Sequence, residues 1–283
     1  MTTDGLILVT GGTGGLGHRV VPRLRAAGRY VRVLSRRPYD SADGIEYVQG
    51  DLTKGEGVTA AVEGAEVVLH CAGTGRIKDD TAQARNLVRG SQRAGVRHIL
   101  NISVVGADRI PVTTVMDRSM FAYFAAQRAV EVVIEEAGLP WTNLRATQFH
   151  DGFILKMVRG MSSLPIVPMP SGFRFQPVDA DEVAACLADL ALGSPAGQVE
   201  DIAGPKIYDA DYLLRSYLAA IGKRRWIVNI PVGGGAAAAI RAGANLAPDH
   251  ALGHRTWEDF LATRYTNSDG ATSPSALVRR VDK

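Results

Sequence analysis

Cysteine is scarce in this sequence, and no residue pattern typical of a metal site occurs. The chain has 283 residues but only two cysteines, Cys71 and Cys186, and no close cluster of cysteine and histidine surrounds either of them. A disulfide scaffold or a zinc site would need several such residues at short spacing. The composition therefore argues against disulfides and metal ligation, and it fits a reducing cytoplasm.

Long apolar runs, long basic runs and internal repeats are also absent from the sequence. No apolar run reaches the length that spans a bilayer, and residues 1–5 lack the plan of a signal peptide. The net charge is only +3, and no stripe of interleaved basic and aromatic residues appears. We therefore expect a cytoplasmic protein with a small-molecule substrate and with neither a membrane nor a nucleic acid as partner. Whether it forms a homodimer stays open.

Short apolar runs alternate with amphipathic stretches through the first half of the chain. The stretches between the runs predict helices, for example over residues 81–94 and 120–137. The runs predict strands over residues 6–10, 30–35, 45–49, 66–70, 96–102 and 141–145. This alternation predicts an α/β fold of the Rossmann type, a doubly wound parallel sheet with ligands at the carboxyl ends of its strands.

A glycine-rich turn follows the first predicted strand. Gly11, Gly14 and Gly17 are spaced three apart and lead into a predicted helix over residues 16–27, which is the setting in which this pattern binds a dinucleotide. Glycine allows a pyrophosphate to approach the backbone, whose amides then point at phosphate oxygens. The residues assigned to this contact are Gly11, Thr13, Gly14, Gly15, Leu16 and Gly17. A glycine-rich turn without a ligand is the alternative.

The second predicted strand ends in basic residues where NAD-specific sites usually place an acid. Ser35, Arg36 and Arg37 stand at this position. A carboxylate would repel a 2′-phosphate on the adenine ribose, whereas a guanidinium pairs with it. The sequence therefore predicts NADP(H) rather than NAD(H), the alternative being a solvated basic face.

The second half of the chain is less regular. We expect residues 1–150 to form the dinucleotide-binding domain, with residues 179–203 returning to it as a helix and a last strand. Residues 151–265 should form a smaller, mostly helical part that binds substrate, in which residues 161–175 read as loop with short extended pieces. Residues 266–283 are polar without an apolar period and are expected to be disordered.

Several segments together carry a resemblance to a known family. Asp51 and Leu52 follow the third predicted strand, and Ala72 and Gly73 follow the fourth. The other segments are residues 10–17, 138–151, 175–179, 203–205 and 256–261. In them the chain resembles the atypical and extended short-chain dehydrogenase/reductases, and in particular the NmrA-like, NAD(P)H-binding subgroup. The resemblance implies that Asp51 and Leu52 contact the adenine and that Ala72 and Gly73 border the cofactor.

The same resemblance implies a catalytic serine and tyrosine, but the lysine of the family is missing. Ser103 follows the fifth strand, Tyr123 holds the tyrosine position, and Gln127 stands where the family has lysine. The lysine charge lowers the tyrosine pKa from about 10, and glutamine brings no charge. Arg128 lies one residue further and is rotated away. Tyr123 is thus either a catalytic acid or an aromatic residue packed beside its neighbours, and Ser103 either polarises the substrate oxygen or only ends its strand.

His150 follows the sixth strand, in a loop that borders the nicotinamide and substrate in this family. It is a candidate proton donor, and the alternative is a histidine that anchors the loop. Five apolar residues could line a pocket there or belong to an ordinary core: Phe149, Phe153, Met157, Met161 and Phe173. We interpret His70 as structural and Cys71 as a small residue beside the cofactor.

Two classes of function follow from these residues. The first is an NADP(H)-dependent oxidoreductase that acts on a small apolar organic substrate, with Tyr123 or His150 handling the proton. A redox-neutral isomerase or cyclase on the same scaffold is a variant of it. The second is a non-catalytic NADP(H) sensor, which the loss of the lysine favours. Retention of Ser103 and Tyr123 favours the enzyme.

Overall fold

A sheet of seven parallel strands, in the order β3-β2-β1-β4-β5-β6-β9, forms the centre of the molecule. The computed structural model describes residues 5–41 and 43–265, so the expectation for residues 266–283 lies outside the described residues. The strands of the sheet are β1 (Ile7–Thr10), β2 (Val31–Ser35), β3 (Ile45–Gln49), β4 (Val67–His70), β5 (His98–Val104), β6 (Trp141–Ala146) and β9 (Gly197–Gln198). The strand order reverses between β1 and β4, which confirms the doubly wound fold.

Helices cover both faces of this sheet. The helices of the chain are α1 (Gly17–Ala26), α2 (Val58–Val62), α3 (Ile77–Ala94), α4 (Val115–Glu135), α5 (Leu155–Ser162), α6 (Ala180–Leu192), α7 (Ala210–Ala220), α8 (Gly235–Arg241) and α9 (Trp257–Tyr265). One buried apolar cluster joins the sheet to α1 and α6, and another joins it to α2, α3 and α4. Strands buried on both faces explain the continuous apolar runs of the sequence.

The chain after β6 builds a separate apolar cluster. A single π-helical turn, His150–Ile154, leads into α5, and two small sheets follow. In one, β7 (Ile166–Pro170) and β11 (Trp226–Ile230) are parallel; in the other, β8 (Arg174–Phe175) and β10 (Tyr208–Asp209) are antiparallel. Their inner residues pack with α5, α7, α8 and α9 around Trp257. This part is therefore not only helical, because β7, β8, β10 and β11 belong to it.

Some element boundaries differ from the sequence-based expectation. The strand expected to end at residue 203 is reduced to β9, followed by one bridge between Ala146 and Ile202. Helix α4 begins five residues earlier than residue 120, because Thr114 and Asp117 form a capping box that stops the helix from fraying. The cap of α6 is Asp179, whose side chain accepts a hydrogen bond from the Asp181 amide at 2.8 Å.

Among the described residues, no helix has both the length and the apolar character needed to cross a membrane.

Candidate functional site

The glycine turn between β1 and α1 owes its shape to three glycines that have no room for a side chain. Gly11 has φ +69°, and a Cβ there would lie 2.7 Å from the Cys71 carbonyl. A Cβ on Gly12 would lie 2.8 Å from Val33, and one on Gly17 would collide with the Gly11 carbonyl oxygen. These glycines therefore let the turn pack tightly against β2 and the end of β4.

The exposed part of the turn presents free amides at a helix start. The amides of Thr13, Gly15 and Leu16 donate no hydrogen bond within the part of the chain that the structure describes. Helix α1 has neither a side-chain cap nor an acidic residue in its first turn. Unpaired amides together with the helix dipole favour an anion here. The turn therefore fits the pyrophosphate of a dinucleotide.

The carboxyl ends of β2, β3 and β4 bring the other predicted cofactor residues to the same edge of the sheet. Arg36 and Arg37 are exposed there, and neither forms an ion pair with any described residue. The buried Ser35 hydroxyl accepts a hydrogen bond from the Arg37 amide at 3.2 Å, which holds the backbone between the two arginines in place. Two guanidiniums without an ion-pair partner among the described residues are thus available at this edge of the sheet.

Asp51 and Leu52 lie at the carboxyl end of β3 and have different surroundings. One carboxylate oxygen of Asp51 accepts the Thr53 amide at 2.8 Å and so shapes the turn. Leu52 is buried in the core beneath it, and Asn86 donates to its carbonyl at 2.8 Å. One carboxylate oxygen of Asp51 is therefore already engaged in a hydrogen bond within the turn.

A buried carboxylate, Asp80, organises the loop after β4, which contains Ala72 and Gly73. The Thr74 hydroxyl and amide donate to one of its oxygens at 2.8 and 2.7 Å, and the Gly75 amide donates to the other at 2.9 Å. A Cβ on Gly73 would lie 3.7 Å from both Asp80 Oδ2 and Gln127 Nε2. Asp80 and Gln127, the latter at the position of the family's lysine, thus both approach Gly73. Asp80 was not among the predicted site residues, because its partners come from a loop whose geometry is not evident in the sequence.

Tyr123 stands beside this loop on the face of α4 that also carries Gln127. A Cβ on Gly75 would lie 3.6 Å from the Tyr123 ring, while the residue itself is 47% exposed. Desolvation, and after it the charge of Asp80, raises the pKa of Tyr123 to about 12, and water at the exposed part of the ring screens part of this effect. The side chain is accessible, and its hydroxyl stays protonated near neutral pH.

His70 and Cys71 end β4 directly beneath the loop. His70 is buried and its Nδ1 lies 2.7 Å from the Thr10 hydroxyl oxygen. Burial lowers the pKa of His70 to about 4, against an opposing effect of Asp80. Burial raises the pKa of the Cys71 thiol to about 12. A neutral histidine and a neutral thiol agree with packing roles for both residues.

Ser103 lies in a buried polar network rather than at the surface. Its neighbour Glu131, from α4, is held by Arg145 of β6 through two hydrogen bonds of 2.8 Å. Burial opposes ionisation of Glu131, but the hydrogen bonds from Arg145 and Arg128 outweigh it and hold its pKa below the usual range. The buried Ser103 hydroxyl nearby has no hydrogen-bond partner among the described residues. Arg128 donates to the same carboxylate at 3.0 Å. Ser103 and Arg128 thus lie next to the buried Glu131–Arg145 ion pair that connects α4 to the sheet.

His150 is fully enclosed by the chain that follows β6. Its ring stacks on Phe260 with centroids 5.3 Å apart, and its Nδ1 lies 3.9 Å from Asp179 Oδ2. Asp179 in turn accepts a hydrogen bond from Arg255 at 2.8 Å. A cavity of about 270 Å³ adjoins this group and is also lined by Arg19. The structure therefore places His150 apart from Tyr123, on the side of the sheet that carries α1 and α6.

The apolar residues predicted to line a pocket are divided between core and surface. Phe173 is buried, Met157 and Met161 pack against the same cluster, and Phe149 packs against the sheet. Phe153 is exposed, with its ring 5.6 Å from that of Phe175. Met116 and Met120, which were not among the predicted site residues, are exposed and precede Tyr123 on α4. Their spacing of four and three residues along the helix was the signal that could have identified them.

Comparison with known proteins agrees with this geometry. A model of the NAD(P)H-binding family matches residues 11–191. A curated relative, the (4-alkanoyl-5-oxo-2,5-dihydrofuran-3-yl)methyl phosphate reductase of Streptomyces griseus, is 29% identical over 210 residues, which cover 72% of this chain and 70% of the relative. The sterol demethylase protein B of Methylococcus capsulatus is 33% identical over 57% of this chain and 50% of its own length.

Solved structures share the fold at low sequence identity. An NADPH-dependent quinone oxidoreductase from Escherichia coli, solved with NADPH, superposes with a TM-score of 0.71 at 19% identity, covering 96% of this chain and 99% of the other. A Bordetella bronchiseptica enzyme in complex with NAD⁺ has the same TM-score at 13% identity, covering 94% and 100%. Since the family model spans most of the chain, from the glycine turn to α6, the protein belongs to the NAD(P)H-binding family.

Proposed function

We propose that the protein is an NADPH-dependent reductase of small apolar carbonyl or quinone compounds. The observation that carries the proposal is the accessible, protonated Tyr123 at the same sheet edge as the free amides of the glycine turn. Met116 and Met120 extend an exposed apolar stripe from Tyr123 along α4, which suits an apolar substrate. The names of two similar proteins, a reductase and a quinone oxidoreductase, support this reaction class.

The chain's residues would divide the chemistry as follows. Bound NADPH would supply the hydride, and the free amides of Thr13, Gly15 and Leu16 would hold its pyrophosphate. Tyr123 donates a hydrogen bond, and then its proton, to the substrate oxygen as negative charge develops there. The Gln127 amide can hydrogen-bond a ribose hydroxyl, but it does not help the tyrosine to lose its proton. Reduction needs a protonated tyrosine as the acid, whereas alcohol oxidation needs the deprotonated tyrosine as the base. Because Tyr123 stays protonated near neutral pH, we propose that reduction is favoured over alcohol oxidation.

The preference for NADPH rests on the two free guanidiniums after β2. Replacing both, as Arg36→Ala with Arg37→Ala, should weaken NADPH binding by about tenfold or more and leave NADH binding nearly unchanged, since each bidentate phosphate contact is charge-assisted. Isothermal titration with both cofactors at moderate ionic strength measures this. Arg89→Ala with Arg93→Ala, on the exposed side of α3, is the matched control. NADH binding as tight as NADPH in the unmodified protein would refute the preference.

The role of Tyr123 is tested by NADPH oxidation with a panel of quinones and carbonyl compounds. Tyr123→Phe should lower kcat/KM by about 100-fold or more, the usual contribution of a positioned general acid. Tyr30 is a similarly exposed tyrosine that precedes β2, at the amino ends of the strands. Tyr30→Phe should therefore leave kcat/KM unchanged. Gln127→Lys should raise the rate of the reverse alcohol oxidation and shift its pH profile to lower pH. Unchanged turnover in Tyr123→Phe would exclude it as the proton donor.

The second candidate function is a non-catalytic NADP(H) sensor, which Asp80 favours. Desolvation, and after it the negative charge of Asp80, raises the pKa of Tyr123, and the neutral Gln127 supplies no positive charge to oppose them. The Tyr123 hydroxyl is therefore a weak acid. If NADPH binds but every substrate class is inert, and Gln127→Lys then creates activity, the sensor is the correct assignment.

A further inference from the structure

The two-stranded sheet of β7 and β11 has one face in the core and one in solvent. Side chains alternate between the two faces of a strand. Val167 and Met169 point inward and are buried, as expected for the core face. The outer face, here called the Trp226 face, consists of Ile166, Pro168, Trp226, Val228 and Ile230, all exposed. Trp226 is 80% exposed and Ile166, its partner in register, is 60% exposed.

Large apolar side chains seldom form a contiguous exposed group on a soluble protein without a partner to cover them. A tryptophan at 80% exposure stands out, because its indole has the largest apolar area of any side chain and is usually mostly buried.

Basic residues adjoin the same end of the sheet. Lys223, Arg224 and Arg225 directly precede Trp226. Lys223 and Arg224 are exposed, and none of the three forms an ion pair with a described residue. Arg225 donates to the Ser162 carbonyl at 3.0 Å, which ties this basic run to the end of α5.

Positive charge predominates in the segments that supply the Trp226 face, although Arg215 among them pairs with Asp211 just outside. Residues 152–178 and 212–248, which supply both strands of the small sheet and the helices α5 and α8, contain eight lysine or arginine residues and no aspartate or glutamate. The whole chain carries a net charge of only +3, so positive charge is concentrated in this part. A second copy of the chain seated face to face would bring these like charges together, which disfavours self-association.

We propose that the Trp226 face binds the surface of bilayers that contain anionic phospholipids. The indole and the aliphatic side chains would enter the interfacial region, where tryptophan is favoured, and Lys223 and Arg224 would contact the phosphate groups. Ile166, Val228 and Ile230 are aliphatic and offer no stacking surface for bases, so a nucleic acid fits less well. The expectation of no membrane partner rested on the absence of a spanning segment, and it does not apply to binding at the surface.

The test is co-sedimentation of the full chain with vesicles of phosphatidylcholine alone and of phosphatidylcholine with phosphatidylglycerol. Binding is expected only to the anionic vesicles, and raising the salt concentration should weaken it. The intrinsic fluorescence should shift to shorter wavelength at the same time. Of the three tryptophans, Trp257 is already buried and Trp141 is partly buried, so Trp226 should dominate the shift.

Two variants separate the apolar and the charged contributions. Trp226→Ser should weaken binding to anionic vesicles by about tenfold or more and abolish the fluorescence shift. Lys223→Glu with Arg224→Glu should weaken it by about tenfold or more, because each basic residue near the surface contributes. Arg89→Glu with Arg93→Glu makes the same change in net charge on α3 and should leave binding within about twofold, since contributions fall off with distance from the membrane.

Four outcomes would overturn the proposal. The first is that the protein binds neither vesicle type, and the second is that the α3 control variant loses as much binding as the Lys223 and Arg224 variant. The third is a concentration-dependent dimer that Trp226→Ser dissociates, which would assign the face to a second copy of the chain. The fourth is tighter binding to single-stranded nucleic acid than to the vesicles. NADPH binding by each variant shows that the fold is intact and separates failure of this proposal from failure of the proposed enzyme function.

Discussion

Gly14 and Gly15 are neighbours in the same exposed turn, yet a methyl group would have different consequences at each. Neither has a positive φ, so alanine is compatible with both backbones. A Cβ on Gly14 would lie 3.1 Å from the Gly11 carbonyl oxygen, and a Cβ on Gly15 would meet nothing within 4 Å. Gly14 is the second glycine of the spaced set, the position where a pyrophosphate approaches the backbone.

Gly14→Ala should therefore weaken NADPH binding by about tenfold or more, because the methyl group crowds the Gly11 carbonyl oxygen and displaces the turn whose amides would bind the phosphates. Gly15→Ala is the matched control and should bind NADPH within about twofold of the unmodified protein, while both variants stay folded. Isothermal titration gives the affinity and thermal unfolding without cofactor gives the stability. Equal loss of binding in both variants would mean that the phosphates lie over Gly15 and that the turn is used in another register.

Helix α4 joins the candidate site to the sheet through one buried ion pair. Tyr123 and Gln127 lie toward its first half, and Glu131 in its second half is held by Arg145 of β6 at 2.8 Å. A charge left unpaired in the interior costs far more than a surface pair contributes. The position of the tyrosine therefore depends on an interaction that lies two turns further along the helix.

Glu131→Ala should lower the free energy of unfolding by about 3 kcal/mol, since it leaves the Arg145 guanidinium without its main partner. Urea unfolding at neutral pH measures the change. Glu135→Ala removes a carboxylate from the same helix, one that pairs with Arg128 at 2.8 Å nearer the surface, and should cost less than about 1 kcal/mol. Equal costs would show that the buried pair contributes no more than the surface pair.

At the scale of the whole molecule, stability should depend on pH through buried histidine. The folded protein holds the His70 pKa near 4, against 6.5 for the free side chain. Between these values the unfolded chain binds a proton that the folded chain does not bind, so stability falls as the pH falls from 6.5 toward 4. Burial lowers the pKa of His98 as well, which adds to the effect in the same direction.

Between pH 7 and pH 4, the His70 contribution to this loss should reach about 3 kcal/mol, the free-energy equivalent of the shift in its pKa. Urea unfolding at a series of pH values measures it. His70→Gln keeps a polar group near Thr10 but cannot titrate, so its stability should change less over this range. His254→Gln, at an exposed histidine, should retain the full dependence. A His70→Gln curve parallel to that of the unmodified protein would contradict the assignment.

The sequence by itself determined the central sheet, the glycine turn and the family. These features are local: apolar runs of strand length, helices at the correct period, and glycines spaced three apart between a strand and a helix. The shared location of the predicted cofactor residues after β1 to β4 could also be predicted from the sequence, because parallel strands bring their carboxyl ends to one edge of the sheet. Their individual contacts with the cofactor stay predictions.

Only the tertiary structure decided what surrounds each candidate catalytic group. Asp80 and Gln127 both approach Gly73, Ser103 lies near Glu131, and His150 stacks on Phe260. These partners are distant in sequence, and the pairing depends on how helices and loops pack over the sheet. The exposed face of β7 and β11 could not be predicted from the sequence either. A short apolar strand has the same sequence pattern whether one of its faces or both are buried. Burial and charge pairing are properties of the folded surface, so periodicity alone does not determine them.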